Sequence, residues 1–188
     1  MARAWSRMVT GCRALRGTPP MRSEYGRVLR RSIERGLERS PFGWQAQKVK
    51  SPHVFPGERV FSKLGADRLL WCALVVHERF EKFTLEVGWS VHGRFPELRI
   101  RPSLQSPVES HHLPEYMVRV GQLIDGADRW WEVEAFVGAS TLQDLVESTQ
   151  AVEPEVARAK VEPVAASALA ALEAHAVPFL EAVCKVPR

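Results

Sequence analysis

Glu132 and Glu134 share one face of a predicted strand, about 7 Å apart by strand rise. Paired carboxylates at that separation are suited to general acid–base work. Consecutive strand residues point to opposite faces, so Trp130 joins these glutamates if Trp131 packs inward with Val133 and Ala135. Glu86 and His92 lie on the polar side of a second predicted strand and extend the set if the two strands share a sheet. An aromatic ring among carboxylates on an open face fits a basic or sugar-like ligand, or a protein partner. Alternating glutamates on a solvated strand are nonetheless commoner than catalytic pairs, and a covering loop or helix would make Trp130 ordinary core. Glu86, His92, Trp130, Glu132 and Glu134 are therefore candidate residues for ligand or partner binding, with no catalytic assignment.

Other chemistry is not signalled. His111 and His112 are adjacent and do not converge in a strand or helix, and His77 and His92 meet only in a favourable hairpin register. No histidine or cysteine pair has metal-ligand spacing, so no metal and no cofactor are expected. There is no nucleophile elbow, phosphate-binding loop or dinucleotide fingerprint. Cys12, Cys72 and Cys184 are odd in number and far apart, which argues against a disulfide framework and points to a reducing, cytoplasmic compartment.

These candidates need a sheet to carry them. Leu69–His77 is apolar on both alternating sets, as in a strand covered on both faces. Phe83–His92 alternates cleanly, with Phe83, Leu85, Val87, Trp89 and Val91 on one side and Thr84, Glu86, Gly88, Ser90 and His92 on the other. This predicts one core face and one polar face. Residues 42–49, Val60–Leu64, Tyr116–Leu123 and Arg129–Phe136 read as further strands, with turns at Gly65-Ala66-Asp67 and Asp125-Gly126. A helix over 23–39 repeats Tyr25, Leu29, Ile33 and Leu37 on one stripe, with arginines on the solvated side. Gly26 and Gly36 fall within the apolar arc, where close approach to a sheet would offset their poor helix propensity. Residues 103–115 form a proline-punctuated loop. Ser140 or Thr141 caps a short helix, and Pro154 opens helical pieces divided by Pro163 and Pro178. The order predicts an α+β fold: an N-terminal helix, an antiparallel sheet of about five or six strands, and C-terminal helices on one face.

The chain has 188 residues, 45% hydrophobic and 26% charged, the balance of a single globular domain. Its net charge of +4 resides in residues 1–20, which hold four arginines and no acid. The remainder is polarised, net +7 over 21–101 and net −7 over 102–188. Two halves that can neutralise each other disfavour a nucleic-acid binder. No continuous apolar run near 18 residues marks a membrane span. Residues 1–20 lack a secretory apolar core and end in Thr18-Pro19-Pro20 just before Met21, so they read as a leader or a mis-assigned start before a domain at 21–188.

Phe83–Val91 (FTLEVGWSV), Arg119–Trp131 (RVGQLIDGADRWW) and Ala176–Val183 (AVPFLEAV), with the leading helix, resemble small bacterial α+β proteins grouped as a domain of unknown function. Some of those are encoded beside polymorphic toxins. The resemblance implies a binding protein, an immunity or accessory protein with a cognate toxin as partner, and carries over no catalytic residues. The alternative is an enzyme or small-ligand binder using Trp130 and the carboxylates of the polar sheet face.

Overall fold

A computed structural model of the chain describes residues 23–77, 82–133 and 152–185. The leader 1–20, the end of the predicted strand 129–136 and the helix placed after Ser140 fall outside them. The fold is α+β. Helix α1 (Ser23–Arg39) precedes strands β1 (Gln45–Gln47), β2 (Arg59–Leu64), β3 (Leu69–Val76), β4 (Lys82–Ser90) and β5 (Glu115–Arg119). These pair antiparallel in sequence order. A short helix α2 (Val120–Asp125) follows, and β6 (Trp131–Glu132) then pairs with the start of β4. Helix α3 (Pro154–Ala171) runs through a π turn (Leu172–Ala176) into α4 (Val177–Lys185).

The helices cover one face of the sheet, as the alternation in β4 requires. Phe83, Leu85, Val87 and Trp89 are fully buried there with Leu70, Cys72 and Leu74 of β3. Tyr25, Leu29, Ile33 and Leu37 of α1 enter the same core, along with Ala157, Val161, Ala165 and Ala168 of α3. Gly36 makes its close approach to α3 rather than to the sheet: a Cβ there would stand 2.2 Å from Leu169 Cδ1.

The other face is not open. Val60, Trp71, Ala73 and Met117 form a second apolar layer on it, and Phe95 from the segment after β4 caps that layer, its ring edge-on to Trp71 at 5.4 Å. Ser103 holds the segment to β5: its amide donates to the Met117 carbonyl at 2.8 Å, and its hydroxyl accepts from the Met117 amide. The polar side of β4 is consequently buried, Thr84, Glu86 and Ser90 included. The Thr84 hydroxyl donates to the Arg129 carbonyl at 3.2 Å. Thr84 thus belongs to the packed interior, against the expectation of a solvated strand face.

Two other expectations change. Tyr116–Leu123 does not continue as a strand past Arg119. The chain turns into α2, which Gly126 ends in the left-handed region (φ 78°), its amide donating to the Gln122 carbonyl. The Asp125-Gly126 signal is therefore a helix cap, not a hairpin turn. Pro163 and Pro178 do not break the C-terminal helix. Pro163 is exposed, and the Ala159 carbonyl whose donor it removes lies on the exposed side as well. Just before Pro178, the Val177 amide bonds the Leu172 carbonyl one residue further back than in an α-helix. The continuous helix Pro154–Lys185 has 32 residues and a mean hydropathy of 1.4 in its most apolar window, enough by length and composition to cross a bilayer. Its apolar stripe, continued by Leu172, Ala176, Leu180 and Val183, packs into the core.

Candidate functional site

The antiparallel register aligns Val60, Ala73, Glu86 and Arg119 as one row across β2, β3, β4 and β5. Neighbours in such a row touch. The Glu86 carboxylate, with 2% of its side chain exposed, meets Arg119 Nε at 3.4 Å. On its other oxygen it meets Arg101 Nε at 2.7 Å. Arg101 arrives from the covering segment, 7% exposed, and its Nη2 reaches Glu58 Oε1 at 2.6 Å, while its Nη1 donates to the His53 carbonyl. Arg119 in turn binds Asp128. The result is a chain of alternating charge, Glu58–Arg101–Glu86–Arg119–Asp128, whose side chains are buried from Glu58 to Glu86 and which runs out through half-buried Arg119 to exposed Asp128. Its buried part lies under a lid that includes Phe95 and Phe55, whose rings stand 5.4 and 5.8 Å from the Arg101 guanidinium carbon.

This arrangement explains how a carboxylate can sit on a buried face. An ion removed from water costs several kcal/mol unless opposite charge and hydrogen bonds surround it. Glu86 has two guanidiniums. Glu58 has one, plus the Phe55 amide at 3.1 Å, and burial pushes its carboxyl above the ordinary value of 4.5 despite Arg101. Nearby Glu86 pushes it the same way. A carboxyl raised on folding contributes stability below its unfolded-state value, and that contribution is lost as pH rises through the folded-state value. Glu58→Gln should therefore flatten the fall in stability as pH rises above 4.5, seen by urea denaturation in a pH series. A slope unchanged from the parent protein would contradict the role given to burial.

The row ends at an exposed rim. Trp130, half-buried, lies with its ring centre 5.0 Å from Arg119 Cζ and 5.5 Å from Lys82 Nζ. Both are cation–π distances. Glu132 is exposed and stands directly across from Lys82 in the β4–β6 ladder. Trp131 points the other way and stacks on Phe83 at 6.1 Å. The alternation read for the tryptophan pair is thus the one found.

Of the five candidate residues, Trp130 and Glu132 come together at the rim. Glu86 joins them only through Arg119, and as a buried, charge-matched group rather than a presented carboxylate. His92 is exposed beyond the opposite end of β4, six residues from Glu86 and about 20 Å away by strand rise. His77, beside Lys82 at the far end of β4, is further still from His92. Glu134 lies outside the described residues. Arg119, Arg101, Glu58, Lys82 and Asp128 were not singled out by sequence. Arg119 sits in a segment read as a strand, so a known register would have placed it beside Glu86. Arg101 lies in irregular chain, where no periodicity marks a side chain as inward.

Burial pushes the Cys72 thiol pKa up, which keeps it protonated and unreactive. Among the described residues, no group of three or more histidines, cysteines and carboxylates is placed to hold a metal ion. Compared with family models, with characterised proteins and with solved structures, the chain matches none.

Proposed function

We propose that the chain is a non-enzymatic, cytoplasmic binding protein that docks a partner protein at the rim formed by Trp130, Lys82, Arg119 and Glu132. The observation that carries this is the state of Trp130: partly exposed, yet held by two cations. Tryptophan and arginine dominate the energetics of protein interfaces. A ring already fixed by cation–π contacts loses less rotamer freedom on docking. Glu132 and Lys82 supply the charged margin that orients an approaching partner. The burial of Glu86 and Glu58 beneath the covering segment supports the same reading, since neither carboxylate is presented to a bound substrate. An immunity or accessory role, with a cognate toxin as the partner, is the form of this function that the sequence resemblance favours.

The product of a neighbouring gene is the first partner to test. With both proteins purified, Trp130→Ala should weaken binding by about 2 kcal/mol, roughly 30-fold, while leaving the thermal midpoint of the free chain nearly in place. Glu132→Gln should slow association and reduce its salt dependence more than it changes dissociation. Unaltered affinity in Trp130→Ala would remove the rim from the interface.

A further inference from the structure

We propose that the groove between α1 and α3 is an anion site that takes a phosphate-rich small ligand of nucleotide size. Its volume is about 640 Å³, within the range of small-molecule sites. Arg27, Arg31 and Arg35 line one wall from α1, with Ser32 among them, and Arg158 stands on α3. Glu155 and Glu162 also line it, so the walls carry two more positive charges than negative. Arg27 is engaged by Glu24 at 2.5 Å and Arg158 by Glu155 at 2.9 Å. Arg31 and Arg35 form no hydrogen bond or ion pair among the described residues.

The spacing is the informative part. Residues 27, 31 and 35 are each four apart, so three guanidiniums rise along one helical stripe spanning about 12 Å. Like charges at that spacing repel and weaken a helix. A bound anion reverses the sign of the effect. All four cations are arginines, whose planar fork grips phosphate oxygens in pairs, which a lysine does not do. A single phosphate satisfies one or two of them. A chain of phosphates uses the whole stripe, which is why a di- or triphosphate moiety is the ligand class.

The test is calorimetric titration of the full chain with tripolyphosphate at low ionic strength, beside orthophosphate as the single-phosphate control. Tripolyphosphate should bind, and at least about tenfold tighter than orthophosphate, because it engages more guanidiniums. Arg31→Ser/Arg35→Ser should weaken it about tenfold or more, while Arg99→Ser, at an exposed site elsewhere, should leave it unchanged. If the double variant does not fold, Arg158→Ser on the facing wall carries the test and should weaken binding several-fold. No binding of tripolyphosphate, equal loss in Arg99→Ser, or undiminished affinity in the groove variants overturns the proposal. So does a short single-stranded DNA bound at least about tenfold tighter than tripolyphosphate, since that marks a nucleic-acid surface read through backbone charge.

Discussion

Arg101→Met is expected to cost about 3–5 kcal/mol, the loss typical of removing one partner from a buried ion pair. Methionine keeps much of the length and apolar character of the arginine stem, so the loss is electrostatic more than steric. What it leaves behind is the problem. The Glu58 and Glu86 side chains, 3% and 2% exposed, would share the interior with Arg119, which reaches only Glu86. The segment that Arg101 ties down also loses its bond to the His53 carbonyl. For a chain of this size the thermal midpoint should fall by about 10 °C or more. Neutralising the stranded acids in the triple variant Arg101→Met/Glu58→Gln/Glu86→Gln should recover part of the loss, because a buried amide costs less than a buried charge. That recovery separates a charge effect from simple damage to packing. A loss below about 1 kcal/mol, or a triple variant no more stable than the single one, would show that water reaches the network and screens it.

The same network shows where sequence reasoning stopped. The pattern in Phe83–His92 identifies its apolar face and its neighbour β3 because period-2 alternation is a local property. It does not say what faces the polar side. Thr84, Glu86 and Ser90 are the residues of a solvated strand, yet they are buried because partners arrive from elsewhere: Arg129 for Thr84, Arg101 and Arg119 for Glu86, and Glu115 for Ser90. Apart from Glu115 and Arg119 on β5, these partners come from irregular chain, where inward residues follow no period. The apolar cover is equally aperiodic, with Phe95 and Leu98 between prolines and charges. The α2 helix was hidden for a different reason. Val120 and Ile124 favour strands by propensity, and the left-handed Gly126 that ends the helix distinguishes the two readings. The partnership of Trp130 with Arg119 was beyond reach for want of strand order: β5 and β6 both flank β4, with α2 bulging between them.

Trp89→Ala should be the most damaging apolar truncation, about 3–5 kcal/mol. The ring is fully buried at the junction of the three parts that build the fold. It lies 4.9 Å from Tyr116 on β5, 5.8 Å from Phe179 on α4 and 6.5 Å from His111 in the long loop. The guanidinium of buried Arg68 stands 5.8 Å above it. Its Nε1 donates to the Leu113 carbonyl at 3.0 Å, so the ring also fixes the loop's return into β5. Truncation therefore opens a cavity and strands an acceptor together. Trp89→Phe separates the two effects. It retains most of the volume and loses the donor, and should cost about 1–3 kcal/mol, the price of an unsatisfied buried carbonyl with a small packing loss. Urea denaturation of both variants gives the comparison, and hydrogen exchange at the Val91 amide, bonded to the Pro114 carbonyl, reports on the loop's anchorage. If the alanine variant loses no more than the phenylalanine one, the ring's packing contributes little. The helices would then be held to the sheet by the α1 and α3 contacts alone.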